Sequence, residues 1–424
     1  LVMAFGGLII VGVSSGIFLI GRAVIDNRAQ VEQVQGDGKD GENKELNLEF
    51  ISSKMKYIQG IIDQYFLFDE DTEKVEDGIY TGLMYGLDDP YSVYYNAEQY
   101  QSLMESTSGE YCGIGVMVQQ NRTTGIITAI KVFANSPAFE AGMLPGDILY
   151  QVDGEAVTGK DLDLVVKENI RGEEGTYVDI TVLRGENAEE TPLHVERRSI
   201  EVPTVEYQML ENQVGYVTQF DEVTAKQFED AIDDLEDQGM EKLVIDLRNN
   251  PGGVLDTAVE MLAYVLPEDK LDGMLVYTAD KNGEGDRYFC KDGKIQRESD
   301  DGSRDSRYPK EDDHELDVPL AVLVNGNSAS ASEVFTGAVM DYDAGIVVGT
   351  TTFGKGIVQN LIPLGDGTAI KLTTAHYYTP NGFDLHGKGL EPDVVVEMDE
   401  ELQKKAVVEL SEDNQLQAAI EAMN

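Results

Sequence analysis

The spacing of hydrophobic residues changes along the chain and divides it into segments of different character. Residues 1–20 contain no charged side chain, and a run of about 20 apolar residues can cross a bilayer as a helix. No small-residue cleavage site follows, so we predict an uncleaved transmembrane signal anchor over residues 1–21. The protein is then expected to be membrane-anchored and single-pass, with any catalytic part extracytoplasmic.

A polar linker and a helical region are predicted next. Residues 22–45 are rich in charge and glycine, which indicates a flexible linker. In residues 46–108, apolar side chains such as Ile58, Ile61 and Tyr65 recur at helical intervals. We interpret this segment as a helical N-terminal region that packs against the rest of the protein or self-associates.

Short strands and then an α/β pattern occupy the remainder. Residues 109–200 contain short apolar runs separated by glycine, which predict a small β-rich domain. Residues 201–398 alternate between strand and helix patterns, which predict an α/β core with a parallel-rich sheet and helical crossovers. Within it, residues 268–318 are interpreted as a solvated acidic insertion. Residues 399–424 end in a short helical segment.

Two strands of the predicted core end in turns built from small residues. The strand around Ile245 leads into RNNPGG, and the strand at residues 320–324 leads into NGNSASAS. In sheets with helical crossovers, sites lie at the carboxyl ends of the strands. If the two strands are neighbours, both turns face one cleft, and Asp246 at the first strand end is expected to order the turn that follows it.

Charge and composition exclude several classes of function. The chain has 79 acidic and 32 basic residues, a formal net charge of −47. No nucleic acid is expected as a partner, because phosphate contacts need clustered Lys and Arg. None of the four histidines has the spacing of a metal site, so we expect no metal and no cofactor. The sequence leaves open whether its two cysteines, Cys112 and Cys290, form a disulfide.

The second turn places Ser328, Ser330 and Ser332 between a strand and a helix. A serine there lies near unpaired backbone N–H groups and the positive end of the helix dipole, which suits either an oxyanion or an ordinary helix cap. A nucleophilic serine also needs a base, and Lys355, between two glycines, is the candidate. It acts as a base only if burial lowers its pKa. The alternative is a surface lysine in a glycine turn.

Residues 109–200 resemble a PDZ domain. The resemblance rests on GIGV and on SPAFEAGMLPGDILYQVDG, which follows it. In that family, the GIGV-type loop offers backbone N–H groups to the C-terminal carboxylate of a peptide, which then adds as a strand. The resemblance implies that Gly113, Ile114, Gly115 and Val116 bind the C-terminus of a protein or peptide substrate.

A wider resemblance covers nearly the whole chain. The segments LDDPYS, GEYCGIGV, LVIDLRNNPGG, NGNSASAS and TTFGKGIVQ closely resemble the carboxy-terminal processing peptidases. These are membrane-tethered or secreted serine proteases with a PDZ domain ahead of a ClpP/crotonase-like core. The resemblance implies that Ser330 is the nucleophile, that Lys355 is the base, and that Gln359 orients the lysine.

The same resemblance implies an oxyanion hole made by the N–H of Ala331 and a glycine N–H of the RNNPGG turn, with Gly252 preferred to Gly253. It also places a condition on Gln359. Residues four apart on an extended strand are about 13 Å apart, whereas a helical turn makes them neighbours. A hydrogen bond between Gln359 and Lys355 therefore predicts a helical turn or bend between them, and a straight strand argues against that role.

Two further expectations follow from the resemblance. Arg171, in IRGEEGT, matches an arginine that couples the PDZ domain to the core in the family; the alternative is a surface arginine. The helical regions 46–108 and 399–424 resemble the dimerisation elements of the family, so a homodimer is expected.

The predicted function is a serine endopeptidase that cleaves protein substrates recognised by their C-terminus, with access regulated by the PDZ domain. One alternative is a catalytically silent scaffold that only binds peptides. Another is a Ser-Lys amidase acting on small substrates, which leaves the PDZ domain without a role.

Overall fold

The computed structural model describes residues 45–107, 110–121, 123–133, 135–185, 187–201, 204–218, 225–266, 273–291, 294–300, 302, 316–403, 405 and 408–424. The predicted anchor over residues 1–21 lies outside them, as does the predicted linker up to residue 44. Among the described residues, no helix combines the length and the apolar character needed to cross a membrane. The prediction of a membrane-anchored, single-pass protein with an extracytoplasmic catalytic part is therefore not supported, and we correct it.

The chain divides into two compact units between Ile79 and Tyr80. Helix α1 (Leu48–Tyr65) lies in the first unit and begins at Asn47, whose side-chain oxygen accepts a hydrogen bond from the Phe50 amide at 2.9 Å. None of its residues is buried. Helix α2 (Thr72–Tyr85) starts in the first unit and ends in the second. The helices predicted for this region are therefore present.

In the second unit, an antiparallel sheet follows helix α3 (Ala97–Thr107). Its strand order is β3-β4-β5-β7-β8, with β6 beside β5. The strands and short helices of this region are β2 (Glu110–Gly113), β3 (Val116–Gln120), β4 (Ile127–Val132), α4 (Pro137–Glu140), β5 (Ile148–Val152), β6 (Glu155–Ala156), α5 (Leu162–Leu164) with a π-helical turn (Val165–Ile170), β7 (Tyr177–Arg184), β8 (Glu189–Glu196) and β9 (Arg198–Glu201). The sheet encloses its own apolar cluster, which includes Ile127, Leu149 and Val182.

A six-stranded sheet carries both small-residue turns. Its order is β10-β11-β12-β16-β17-β20; β10 is antiparallel to β11, and the other pairs are parallel. Every residue of β16 (LAVLV) is buried, as expected of a strand covered on both faces. The elements are β10 (Glu206–Leu210), β11 (Val214–Thr218), α6 (Ala225–Asp237), β12 (Lys242–Asp246), α7 (Leu255–Val265), β16 (Leu320–Val324), α8 (Ala331–Asp341), β17 (Ile346–Gly349) and β20 (Val394–Val395).

A second sheet is entirely antiparallel. Its order is β1-β19-β13-β14-β15, and β18 also pairs with β19. The strands are β1 (Val93–Tyr95), β13 (Gly273–Asp280), β14 (Asp286–Lys291), β15 (Lys294–Ser299), β18 (Ile357–Pro363) and β19 (Ala369–Tyr378). The prediction of a parallel-rich core is therefore only partly right, because one sheet is mixed and the other has no parallel pair among the described strands.

The acidic stretch at residues 268–318 is not wholly a solvated insertion. Strands β13, β14 and β15 form a meander within it, and they bury Leu275, Val276, Tyr288, Cys290 and Ile295 in the core. In β14 the buried residues Tyr288 and Cys290 alternate with less buried ones, so this highly charged stretch also contains apolar residues that pack in the core. Cys290 is buried, and it is not joined to Cys112 by a disulfide bond.

The C-terminal segment packs on the mixed sheet. Helix α9 (Asn414–Ala422) begins at Asp413, whose carboxylate accepts hydrogen bonds from the amides of Gln415 and Leu416, both at 3.0 Å. Its residues Leu416 and Ala419 join an apolar cluster with residues of β12, β16 and β17. The segment therefore covers the face of the strands that lead into the two turns.

Candidate active site

Ser330 occupies a strained turn between β16 and α8. Its backbone has φ 57° and ψ −120°, a conformation that costs energy for any residue other than glycine. The sequence lacks Gly-x-Ser-x-Gly, yet the strand, sharp turn and helix reproduce the geometry by which that motif exposes a nucleophilic serine. An outlier of this kind marks Ser330 as a functional candidate.

The neighbouring serines are used structurally. The Ser328 hydroxyl is fully buried; it donates to the carbonyl of Leu247 at 2.7 Å and accepts from the amide of Asn325 at 2.9 Å. The Ser332 hydroxyl donates to the carbonyl of Asn250 at 3.2 Å. Both therefore fasten the serine turn to the RNNPGG turn, whereas Ser330 is half-buried at its surface.

The RNNPGG turn lies directly against Ser330. A Cβ added to Gly252, whose φ is +86°, would lie 2.5 Å from the carbonyl oxygen of Ala329 and 2.6 Å from the amide nitrogen of Ala331. Only glycine allows this approach. The amide of Gly252 donates to Asn250 Oδ1 at 2.9 Å. Both turns predicted from the sequence thus meet at one site, as parallel β12 and β16 are neighbours.

A narrow apolar cavity opens beside the two glycines. The volume open to the centre of a water-sized sphere is about 30 Å³, so the cavity can hold a small group. The residues that line it come from the RNNPGG turn, α7 and the start of α8: Leu247, Asn250, Gly252, Gly253, Val254, Thr257, Ala258, Met261, Ala331, Ser332 and Phe335. A small apolar side chain therefore fits next to Ala331 and Gly253.

Glu333 joins the serine turn to the loop that carries Lys355. It is fully buried. Its Oε2 accepts from the amides of Ser330 at 3.0 Å and Lys355 at 2.8 Å, and its Oε1 accepts from the amide of Gly354 at 2.7 Å and the hydroxyl of Thr352. The sequence reasoning missed Glu333, although serine followed three residues later by glutamate at a helix start is the capping-box pattern.

Tyr377 forms a second bridge between the backbones of Ser330 and Lys355. Its hydroxyl lies within hydrogen-bond distance of the carbonyl oxygens of Ser330, at 3.0 Å, and of Lys355. Burial, with the nearby Glu333 carboxylate, raises the pKa of Tyr377 well above its ordinary value, so the phenol stays neutral and able to donate. No local pattern in β19 distinguishes this tyrosine from its neighbours.

The Lys355 side chain is half-buried and does not reach Ser330. Its Nζ lies 4.8 Å from the centre of the Tyr91 ring, and no hydrogen bond joins Nζ to Ser330 Oγ in the described structure. Burial lowers the pKa of Lys355, and the positive charge of Lys371 lowers it further, while Glu333 opposes both. The environment thus favours the neutral amine that a general base requires.

Gln359 is not held against Lys355. It lies in β18, which pairs with β19 along its whole length, so no helical turn forms between residues 355 and 359. An irregularity in the pairing occurs between Val358 and Gln359. The Gln359 amide donates instead to Thr373 Oγ1 at 3.3 Å and to the carbonyl of Ile357 at 3.4 Å.

A buried ion network fixes the start of the RNNPGG turn. The Arg248 guanidinium donates to Asp246, and to Asp413 at the start of α9 at 2.7 Å and 3.2 Å. Asp246 also accepts from the Arg248 amide at 3.0 Å and from the Tyr216 hydroxyl at 2.6 Å. Asp246 therefore orders the turn, as predicted, and Asp413 ties the turn to the C-terminal helix.

Two family models match the chain. Peptidase family S41 matches residues 213–396, and the PDZ domain matches residues 112–195. A probable CtpA-like serine protease of Staphylococcus epidermidis is 37% identical over 361 residues, which are 84% of this chain and 67% of that protein. The chain belongs to peptidase family S41. The resemblance to carboxy-terminal processing peptidases is thereby confirmed.

A relative from a second staphylococcal species agrees with this membership of family S41. A probable CtpA-like serine protease of Staphylococcus aureus is 36% identical over 347 residues, 81% of this chain and 64% of that protein; the chain thus spans somewhat less than two thirds of that relative's length. The solved photosystem II D1 C-terminal processing protease is 26% identical and covers 82% of this chain and 86% of its own, with a TM-score of 0.42.

The GIGV loop of this S41 peptidase lies at the open edge of the PDZ sheet. Strand β3, which follows the loop, ends the strand order and pairs only with β4 among the described strands. Gly115 has φ +76°, and a Cβ there would lie 2.3 Å from the Cβ of Ser136. The carbonyls of Ile114 and Gly115 accept from Ala138 and Phe133, so the backbone of the loop is held in a fixed curve next to an edge that can accept a strand.

Arg171 follows the π-helical turn that closes this domain. Its amide donates to the carbonyl of Val166 at 2.8 Å, and the residue is half-buried. The family resemblance implies that Arg171 couples the PDZ domain to the core. Its position at the end of the helix does not test this role, which is therefore taken up as a proposal below.

Proposed function

We propose that this S41 peptidase is a serine endopeptidase in which Ser330 is the nucleophile and Lys355 is the base. The observation that supports this most is the double bridge between them. Glu333 accepts from both backbone amides, and Tyr377 lies at hydrogen-bond distance from both carbonyls. These contacts fix the backbone of Ser330 relative to the backbone of Lys355. A nucleophile and its base need such a fixed geometry.

In the proposed mechanism, the Ser330 hydroxyl attacks the carbonyl carbon of a peptide bond while its proton passes to the neutral amine of Lys355. The tetrahedral intermediate collapses, and Lys355 returns the proton to the leaving amine. A water molecule then attacks the acyl-enzyme, with Lys355 again taking a proton, and releases the new carboxyl end.

The oxyanion is stabilised by backbone N–H groups. The Ala331 amide lies at the first turn of α8, where it has no intrahelical partner. The Gly252 amide is already engaged by Asn250 Oδ1, so we now favour Gly253 as the second donor, in place of the earlier preference for Gly252. Gly252 serves to bring the turn close to Ser330.

The apolar cavity beside the oxyanion donors is proposed to receive the side chain that precedes the cleaved bond. Its volume of about 30 Å³ suits alanine or a residue of similar size. Met261 and Phe335 limit its depth, and no charged residue lines it. Cleavage is therefore proposed to follow small apolar residues.

The PDZ domain is proposed to bind the C-terminus of the substrate. The loop Gly113, Ile114, Gly115 and Val116 would hold the terminal carboxylate, and the peptide would extend edge strand β3. Arg171 is proposed to transmit this binding to the core, which predicts that Arg171→Ala lowers proteolysis without changing folding.

Gln359 is proposed to orient Lys355 during the reaction. Gln359 lies in a strand and its amide donates to Thr373 in the structure described above. This role therefore requires a bend of the chain at the irregular pairing of β18 as well as a change of side-chain rotamer. A homodimer is also proposed, through the exposed apolar side chains of the N-terminal region, which include Leu48 in α1 and Leu67 and Phe68 between α1 and α2.

The decisive experiment measures cleavage of casein and of a peptide with an apolar C-terminal tail by the full chain and by Ser330→Ala and Lys355→Ala. Cleavage by the wild type alone supports the proposal. Equal cleavage by all three proteins refutes the Ser-Lys dyad. Binding of the tailed peptide with no cleavage by any of them favours the peptide-binding scaffold, and cleavage of small amides alone favours the amidase.

A further inference from the structure

Tyr91 places an aromatic face on the amine of Lys355. The Lys355 Nζ lies 4.8 Å from the centre of the Tyr91 ring, within the range of a cation–π interaction. Tyr91 belongs to the LDDPYS stretch, which comes between α2 and β1, far in sequence from Ser330 and Lys355. Neither the family resemblance nor the proposed mechanism gives this residue a role.

The backbone around Tyr91 is firmly anchored. The Asp89 carboxylate accepts from the Tyr91 amide at 3.0 Å and from the Ser92 hydroxyl at 2.5 Å. The Ser92 hydroxyl in turn accepts from the Thr373 amide at 3.0 Å, and Val93 starts the pairing of β1 with β19. The backbone that carries the ring is therefore held in place, and of the two partners the lysine has the longer and more flexible side chain.

The contact distinguishes the two protonation states of Lys355. The ring face attracts the ammonium ion, but it attracts the neutral amine far less. Glu333 also favours the charged form, whereas burial and Lys371 favour the neutral form. The loss of a proton that makes Lys355 a base therefore also releases its side chain from the ring.

We infer that Tyr91 is a positioning residue that holds the protonated Lys355 side chain off the Ser330 hydroxyl and frees it on deprotonation. The inference rests on the proposed function, because it concerns the base of the Ser-Lys dyad. It explains why Nζ and Ser330 Oγ are not hydrogen-bonded although the backbones of the two residues are bridged by Glu333 and Tyr377.

Other titratable groups surround the same loop. Glu333 faces Lys355 from α8, Lys371 and Tyr377 face it from β19, and Asp89 lies beneath Tyr91. In addition, two histidine rings 5.2 Å apart, those of His376 and His386, lie near Gly356. The comparison must therefore alter the Tyr91 ring and leave all of these groups in place.

The test compares Tyr91→Leu, which removes the aromatic face, with Tyr91→Phe, which keeps it. Phe383→Leu is the matched control, since Phe383 carries a similar contact, with the Nζ of Lys388 5.3 Å from its ring centre. Lys388 is not among the charges that shift the pKa of Lys355. Tyr91→Met serves as a second non-aromatic variant if Tyr91→Leu folds poorly, and thermal melting checks all four.

The first readout is independent of catalysis. In a Ser330→Ala background, trace acetylation by acetic anhydride across pH, located by peptide mass spectrometry, reports the neutral fraction of Lys355. We expect Tyr91→Leu to raise acetylation of Lys355 about two- to tenfold at a pH below the midpoint. Tyr91→Phe and Phe383→Leu should match the reference. An unchanged or reduced fraction in both Tyr91→Leu and Tyr91→Met overturns the inference.

The second readout is peptidase activity against pH with Ser330 intact. The ascending limb should move to lower pH in Tyr91→Leu by the amount that acetylation reports. A larger neutral fraction of Lys355 without any movement of the limb would mean that Lys355 is not the base, so the proposed function would fail together with the inference. Failure of the first readout alone leaves the dyad standing.

Discussion

The amides of Ser330 and Lys355 donate to the same carboxylate oxygen, Oε2 of Glu333, at 3.0 Å and 2.8 Å. The two nitrogens can therefore be no further apart than the sum of these distances. A buried carboxylate that accepts four hydrogen bonds compensates for its own desolvation and rigidifies the segments that donate them. The relative position of the proposed nucleophile and base thus depends on Glu333 together with Tyr377.

Glu333→Gln should uncouple the two segments. In either orientation, the amide nitrogen of glutamine faces two donors, which become unsatisfied. We expect the free energy of unfolding to fall by about 2 kcal/mol or more, and peptidase activity to fall with it. Urea denaturation and a peptide assay measure both. Glu391→Gln, at an exposed position, should change stability by less than about 0.5 kcal/mol; a similar small effect at Glu333 would contradict the bridging role.

Gly252→Ala should displace Ser330. The added methyl would lie 2.5 Å from the Ala329 carbonyl oxygen and 2.9 Å from the Ser330 Cβ. We expect kcat/KM to fall by about a hundredfold, since a misplacement of about 1 Å has that effect. Gly239→Ala is the control for backbone strain without a steric clash. Gly239 has a similar φ, +84°, but a Cβ added there would lie 3.7 Å from its nearest neighbouring atom. Equal losses in both variants would refute the close-approach argument.

Asp413→Asn should loosen the RNNPGG turn. Asparagine still caps α9 but cannot pair with Arg248, whose side chain is only 9% exposed. Breaking a buried ion pair costs about 3 kcal/mol or more, and activity should fall because the turn carries Gly253, the second of the two proposed oxyanion donors. Glu412→Gln is the adjacent control, since its partner Lys405 is well exposed and such pairs contribute less than about 1 kcal/mol. Calorimetry measures the loss of stability, and a peptide assay measures the loss of activity. Equal losses in Asp413→Asn and Glu412→Gln would contradict the role of the buried ion pair.

Removal of the Lys371 charge should shift the pH profile. That charge helps to lower the pKa of Lys355, and a base is active only when deprotonated, so activity rises with pH through this pKa. Lys371→Met should raise the pKa of Lys355 and move the ascending limb to higher pH, which lowers activity near neutrality. Lys371→Arg keeps the charge and should keep the limb in place. A limb that stays fixed in Lys371→Met would show that another group controls it.

Met261→Ala should widen the preference for the residue before the cleaved bond. The shortened side chain enlarges the cavity beside Ala331 and Gly253, so leucine-sized residues should gain kcat/KM relative to alanine in a peptide library. Both this variant and Met240→Ala, which is buried elsewhere in the core, should lose about 2–5 kcal/mol of stability. A preference that stays the same, or that changes equally in both variants, would place the specificity pocket elsewhere.

Local patterns were sufficient to find the elements that carry the chemistry. The strand at residues 320–324 and the helix that follows it lie where hydrophobic spacing placed them. The turn at RNNPGG could be recognised because Pro and Gly restrict the backbone locally. The spacing of hydrophobic residues did not reveal the meander of β13, β14 and β15, because charged residues are interspersed among the apolar ones in this stretch.

The sequence by itself determined the family, the nucleophile and base candidates, and the strand ends on which they stand, because these depend on residues close together in the chain. Only the tertiary structure decided which groups connect them. Glu333 is 22 residues from Lys355, Tyr377 is 47 residues from Ser330, and Ser92 is 281 residues from Thr373. Contacts between such distant residues are set by the packing of two sheets and leave no period or local motif in the sequence, so the contact of Lys355 with Tyr91 could be found only in the folded protein.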